Sequence, residues 1–333
     1  MLTLLIIVVA LALIFDFING FHDTANAIAT SISTKALSPK FAIFFAATLN
    51  FVGAIYSSEV AKTVGGKVAN PATIDNGVQV VIAALLTAII WNLITWYFAI
   101  PSSSSHTLIG ALAGAVIAGA GASSVNWSGF KEIIIILVAS PIIAFATGFI
   151  IMWIIRQLIL LSGNHSRSKL NRTFRIFQIF SAGLLSYSHG GNDAQKAMGI
   201  IVFGMVALGY QDTLDVPLWV KLCAATAMGL GTSIGGWKII KTMSKKLIKI
   251  EPINGFASDL NSSIVIQVST AMGMPLSTTH VISSSIIGTG AVMRFYDVKW
   301  ATVTKMVMTW VITIPISMVL SFIIFKIIFQ LTS

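Results

Sequence analysis

The sequence predicts an all-α polytopic membrane protein made of two inverted-topology repeats, each with a broken helix and a re-entrant helical hairpin. Three observations carry this prediction. The chain of 333 residues is 56% hydrophobic and only 10% charged, with a mean hydropathy of +0.89; a soluble domain carries roughly a quarter charged residues. Apolar stretches able to cross about 30 Å of hydrocarbon recur along it, beginning with Leu2–Phe15. Three motif blocks then occur twice in the same order. The short alternating segments that a β-barrel requires are absent.

The first apolar run has no positive n-region and no small-x-small cleavage site, and it continues directly into a polar motif. It therefore reads as a membrane span rather than a signal peptide. The single cysteine, Cys223, excludes an intramolecular disulfide. The formal charge is +10, but the basic residues sit in short connections between apolar segments. That distribution follows the positive-inside rule and argues against a nucleic-acid partner; the partner is the lipid bilayer.

The repeat is read from three blocks. Asp16-Phe-Ile-Asn-Gly-Phe-His-Asp23-Thr-Ala-Asn26-Ala aligns with Ser186-Tyr-Ser-His-Gly-Gly-Asn-Asp193-Ala-Gln-Lys196-Ala at an offset of 170 residues. Ala47-Thr48 and Gly53 align with Ala225-Thr226 and Gly231 at an offset of 178. Pro101-Ser-Ser-Ser-Ser-His106 aligns with Pro275-Leu-Ser-Thr-Thr-His280 at an offset of 174. Constant order with small indels indicates two copies of one unit. Residues 1–155 form the first transport repeat, 156–175 a basic connection, and 176–333 the second. Each unit reads as a long interrupted helix, a plain span, a hairpin joined at the Pro-Ser knot, and a further span.

Charge orients the units. Arg156, Arg167, Lys169, Arg172 and Arg175 place the central connection in the cytoplasm, and Lys238, Lys241, Lys245, Lys246 and Lys249 mark a return there. Between them Gly209–Pro217 carries Asp212 and Asp215 and no basic residue, so it lies outside. Counting backward puts Lys62 and Lys67 outside beside Glu59 and Asp75, Lys35 and Lys40 inside, and both termini outside. The two hairpins then enter from opposite faces, as in many secondary transporters. The expected location is the inner (plasma) membrane.

Each knot has a physical purpose in this reading. Proline pushes the preceding residue out of the helical region, so the first arms are expected to end at Ile100 and Met274. Pro followed by Ser or Thr starts a new helix near Ser102–Ser105 and Ser277–Thr279. A helix start carries unpaired N–H groups and about half a positive charge. Two such ends facing one space make an anion site, and the hydroxyls of Ser103, Ser104, Ser105, Ser277, Thr278 and Thr279 suit a tetrahedral oxyanion such as phosphate. The plainer alternative is that these residues only cap two turns.

Asp23 and Asp193 stand at equivalent positions inside apolar segments. A carboxylate at a helix centre costs on the order of 3 kcal/mol on insertion scales and marks a functional site by default. Gly20, and Gly190-Gly191, predict that the helix unwinds before each Asp and exposes carbonyls. With the amide oxygens of Asn26 and Asn192, these carboxylates suit a small hard cation. The alternative is that each Asp caps a broken helix, and Asp16 could support the break. Lys196 replaces Asn26 in the second copy, where it could pair with Asp193, contact the anion or snorkel away.

His106 and His280 follow the knots without metal-site spacing and are expected to hydrogen-bond the turns. His22 and His189 flank the Asp motifs, where a part in proton coupling is open. Gly110, Gly114, Gly119, Gly288 and Gly290 fit close helix packing.

At these residues the chain resembles the inorganic phosphate transporter (PiT) family, whose signature in each half is close to G-x-N-D-x-x-N-A. Here it stands as Gly20-Phe-His-Asp-Thr-Ala-Asn-Ala27 and Gly190-Gly-Asn-Asp-Ala-Gln-Lys-Ala197. The resemblance covers nearly the whole chain and both knots. It implies about twelve membrane segments counting hairpin arms, a phosphate site at the hairpin tips and sodium or proton coupling, in a minimal prokaryotic form. It also implies that Asp23, Asn26, Asn192 and Asp193 hold the cation, and that the knot hydroxyls, with Thr107 at their edge, hold phosphate. His22 and Lys196 depart from the signature.

The function expected is sodium-coupled phosphate import by a secondary transporter, with no catalytic residues and no cofactor beyond the transported ions. The alternatives are a proton-coupled or metal-phosphate symporter, a sulfate transporter, an anion channel, or an intramembrane hydrolase using Ser105 and His106. A homodimer is the expected assembly on base rate alone.

Overall fold

The computed structural model describes residues 1–74, 76–100, 102–163, 166–234, 240 and 247–332. Asp75, Pro101, Lys238, Lys241, Lys245 and Lys246, used above for charge and for the first knot, lie outside the described residues, as does the side chain of Arg167. Among the described residues the chain is helical and contains no strand. The first half comprises α1 (Leu2–Ser33), α2 (Pro39–Tyr56), the short α3 (Glu59–Gly66), α4 (Gly77–Tyr97), α5 (Ser104–Ala120) and α6 (Trp127–Leu161). The second comprises α7 (Arg167–Ala207), α8 (Leu218–Ile234), α9 (Pro252–Ala271), α10 (Thr278–Arg294) and α11 (Trp300–Thr332).

Local sequence explains the boundaries. Pro39 and Pro252 each occupy the first helical turn, where a missing N–H is harmless. Glu251 and Asn254 exchange bonds with the first turn of α9 in a capping box. The first hairpin arms end earlier than Ile100 and Met274, at Tyr97 and Ala271. Ala99 and Gly273 take left-handed φ values of 55° and 66°, and the chain closes by Ile100 N donating to Thr95 O at 2.9 Å and Met274 N to Ser269 O at 2.8 Å. This closure satisfies the last carbonyls before a proline is reached, and it recurs at the same offset in both knots.

Surface and interior are the reverse of a soluble protein. Large apolar side chains such as Ile142, Phe180, Leu184 and Val311 are exposed, while Asp16, Asn19, Asp23, Asn26, Asn192, Asp193 and Lys196 are buried. Among the described residues, five helices, α1, α2, α4, α6 and α11, are long and apolar enough to cross a membrane.

The helices α1 and α7 traverse two apolar clusters with a polar layer between them. On α1, Val8, Ala12 and Phe15 belong to one cluster and Ala27, Ile28 and Ala29 to the other. On α7, Ala182 and Leu185 lie in the second, and Ala194, Ala197 and Met198 in the first. The motif residues fall in the polar layer.

The packing is reciprocal. α1 crosses α8 and α2 crosses α7; α5 packs along α11 and α10 along α6. A Cβ on Gly231 would strike the Phe17 carbonyl, and one on Gly190 would strike Asn50 backbone, so these crossings bring backbones together. Gly114 on α11 and Gly288 on α6 pack in the same manner, as expected of the small residues. The expectation of broken helices is corrected here: α1 and α7 run as continuous helices through Asp23 and Asp193. Gly20 meets α8 backbone and Gly190 meets α2. Their small size serves helix crossing, and the backbone keeps its intrahelical bonds where water is scarce.

The two hairpins open toward opposite ends of α6. The mouth of the first lies by its N-terminus, where Asn126 N donates to Val68 O at 2.9 Å and the Asn76 amide reaches Gly119 O at 3.5 Å. The mouth of the second lies by its C-terminal end, where Arg156 donates to Val292 O at 3.2 Å. Lys62 and Asp215, assigned above to one face, meet at 3.3 Å.

Candidate functional site

Between the mouths, the hairpin tips touch: Ser105 Oγ donates to Leu276 O at 2.7 Å. The knots are built alike. Ser103 caps α5 by accepting from His106 N at 3.1 Å, and Ser277 caps α10 by accepting from His280 N at 3.3 Å. Extended backbone at Ser103 and Ser277 followed by helix aims two N-terminal ends at one region.

The polar layer of α1 and α7 meets these ends. Asp23 accepts from Ser104 Oγ at 2.7 Å and from Thr279 Oγ1 at 3.0 Å, so one carboxylate joins both knots. His22 Nδ1 lies 2.7 Å from the same carboxylate. The Asn26 amide donates to Thr279 Oγ1 at 2.9 Å, which leaves its Oδ1 buried without a bonded partner among the described residues. On α7, Asp193 accepts from Thr278 Oγ1 at 3.0 Å, from Lys196 Nζ at 2.7 Å and from Asn19 Nδ2 at 3.4 Å. The Asn192 amide turns away to Thr270 Oγ1 at 2.9 Å, and its Oδ1 also lacks a partner. Both carboxylate oxygens of Asp16 and Asn19 Oδ1 are likewise buried without a hydrogen-bond partner among the described residues.

The candidate phosphate-binding and cation-binding residues lie at or beside this junction, in different roles. Ser104, Thr278 and Thr279 point their hydroxyls into the acidic cluster. Ser103 and Ser277 cap, Ser105 ties the tips together, and Thr107 Oγ1 donates to Ser103 O at 2.9 Å. His106 Nδ1 lies 2.8 Å from Ser103 Oγ, the turn-bonding role expected of it. His280 stacks on Trp310 with centroids 3.8 Å apart. Both histidines face an apolar cleft between α6 and α11 that includes Pro141 and Pro315, rather than the carboxylates.

Lys196 does not snorkel. It is 1% exposed, and its ammonium also lies 3.5 Å from Ser104 Oγ. Removing one partner of such a buried pair costs on the order of 3–5 kcal/mol.

Three participants were not legible as site residues. Thr95 Oγ1 sits 3.3 Å from His22 Nε2 and accepts from Ser102 Oγ at 2.8 Å. Gln195 Oε1 accepts from Val60 N at 2.8 Å and Ala61 N at 3.1 Å, holding the start of α3 to α7. Asp259, inside hairpin arm α9, is wholly buried and among the described residues accepts from neutral groups, Thr30 Oγ1 at 2.7 Å and Gln178 Nε2 at 3.3 Å. A lone carboxylate inside an apolar arm is itself a signal. It escapes notice because Leu85 stands at the corresponding place in the first repeat.

Chemically, the junction offers a rim of hydroxyl donors and two helix starts for an anion, with carboxylate and amide oxygens immediately behind for cations. A profile described as "Phosphate transporter family" matches residues 19–321. A Bacillus subtilis (strain 168) protein named "Probable low-affinity inorganic phosphate transporter" is 56% identical over 317 residues, covering 95% of this chain and 94% of its own. A Rhizobium meliloti (strain 1021) protein of the same name is 42% identical over 320 residues, covering 96% of this chain and 94% of its own. A solved structure described as "The sodium-dependent phosphate transporter" superposes with a TM-score of 0.88 at 22% identity, over 98% of this chain and 99% of that one.

Proposed function

The chain belongs to the phosphate transporter family, and from that premise we propose that it imports inorganic phosphate by symport with a cation, sodium in the leading reading. Its activity is transport rather than catalysis. The observation that carries the coupled mechanism is the sharing of hydroxyls: Ser104 and Thr279, one from each knot, both donate to Asp23.

Those hydroxyls can serve a carboxylate or an anion, but each has one hydrogen to give. With Asp23 bare, the hydrogens point at its oxygens. A cation on Asp23 and the Asn26 carbonyl oxygen takes up those lone pairs, and the hydroxyls turn toward the anion. It also cancels the negative charge that would repel phosphate. Thr278 makes the corresponding bond to Asp193 in the second half. Cation and phosphate therefore favour each other's binding, and the coupling is reciprocal. Amide, hydroxyl and carboxylate oxygens at one place suit sodium.

In this proposal the two halves are inverted repeats that alternate access around the junction, in the inner (plasma) membrane with both termini outside. One observation favours a proton instead: His22 bonds the Asp23 carboxylate directly and continues to Thr95. Uptake of labelled phosphate into proteoliposomes, with sodium and pH gradients imposed separately, decides. Stimulation by inward sodium at constant pH supports the leading reading. Stimulation by the pH gradient alone supports the second, and uptake indifferent to both defeats symport.

A further inference from the structure

The two carboxylates at the junction are equivalent by repeat and unequal by environment. One helical turn after Asp23 stands Asn26, which presents an unpartnered buried oxygen. One turn after Asp193 stands Lys196, which presents an ammonium. Among the described residues, Asp23 receives hydroxyls and an imidazole, whereas Asp193, with the His189 imidazole at 3.5 Å, also holds an ammonium 2.7 Å away. Lys196 is too deeply buried to release that contact to water, at 1% exposed.

Resting on the symport reading, we infer that the Lys196 ammonium is a tethered counter-ion: it fills, beside Asp193, the place that an exchangeable cation takes beside Asp23. The remaining geometry agrees. Nζ lies between Asp193 Oδ1 and Ser104 Oγ, at 2.7 and 3.5 Å. It thus touches the hydroxyl rim as well as the carboxylate, where a bound cation neighbouring the anion would have to sit. An ammonium has three hydrogens, and two are directed by these contacts, so one is left for an anion in the junction.

A tethered charge differs from a transported one in its bookkeeping. It neutralises Asp193 in every state of the cycle, returns with the unloaded carrier and contributes nothing to the ion gradient harvested. The second half therefore helps to bind phosphate but adds no driving force. Transport through this chain uses one exchangeable cation fewer per phosphate than a junction with Asn at both positions.

The test is equilibrium binding of labelled sodium to the purified full-length protein in detergent, paired with sodium titration of phosphate uptake. Lys196→Asn, which installs the residue of the first repeat, is expected to bind one more sodium ion per protomer than the native chain. Its uptake is expected to depend on sodium with an order raised by one. An unchanged count in folded, monodisperse Lys196→Asn overturns the inference. Lys196→Ser, which opens the same space with a hydroxyl, is read in the same way. Two sodium ions already bound per native protomer at the junction overturn it without any variant, with Asp23→Asn and Asp193→Asn each removing one. If native uptake ignores sodium and pH gradients alike, the symport reading falls separately, while the gain or absence of a bound ion in Lys196→Asn still decides the role of Lys196.

Discussion

Asp23→Asn isolates the charge of the carboxylate that joins both knots. The substitution keeps the side chain's size in a site 1% exposed. It keeps one acceptor oxygen for Ser104 or Thr279, now 2.7 and 3.0 Å from the carboxylate. No Lys or Arg forms an ion pair with Asp23 among the described residues, and its carboxylate supplies a full negative charge to a cation placed there. Two opposite charges about 4 Å apart at an effective dielectric near 20 attract by about 4 kcal/mol. At about 1.4 kcal/mol per decade, losing that attraction weakens cation binding roughly a thousandfold. Uptake of labelled phosphate by Asp23→Asn should therefore fall to background at sodium concentrations that saturate the native protein. Native uptake with an unchanged sodium dependence would refute the assignment of Asp23 as the cation ligand.

Four further outcomes follow from named contacts. Ser104→Ala removes a hydroxyl shared by Asp23 and the anion site; a lost bond to a charged group is worth about 1.5–3 kcal/mol, so the phosphate concentration for half-maximal uptake should rise about tenfold or more. Gly231→Val puts a branched side chain against the Phe17 backbone. Overpacking of that kind costs about 1–3 kcal/mol, and the melting temperature should fall measurably in a detergent thermal-shift assay. Asp259→Asn neutralises a buried carboxylate that no basic side chain pairs among the described residues; it should cut uptake several-fold while the protein still elutes as a folded species. Lys62→Ala breaks contacts to Glu59 and Asp215 between half-exposed or exposed side chains. Surface pairs of this kind contribute little, so uptake and melting temperature should both stay at native values.

Much of the site was legible because it is written twice. The order of the three blocks located Asp23, Asp193 and both knots, and the structure brings all of them to one junction. The start of α5 at Ser104 and of α10 at Thr278 followed from Ser and Thr capping, a local effect. What failed was any inference in which a residue's purpose depends on a distant partner. Gly20 before Asp23 reads equally well as a break or as a crossing point, and only the backbone of α8 against it decides. Lys196 had three open destinations; its pairing with Asp193 is local, three residues apart on α7, but its approach to Ser104 depends on how α7 lies against α5. Asp259 lay outside the repeat logic altogether, since its counterpart is Leu85. Arms ended three residues before expectation because left-handed Ala99 and Gly273 close them before the prolines act.

The central claim is that cation and phosphate meet at the touching hairpin tips and favour one another through Asp23. Equilibrium binding of labelled phosphate to purified protein, measured across a sodium titration at fixed pH and ionic strength, addresses it without the complications of transport. Phosphate affinity should climb with sodium, and Asp23→Asn should abolish the climb. Phosphate affinity that stays level from zero to saturating sodium, and is matched by Asp23→Asn, would contradict it.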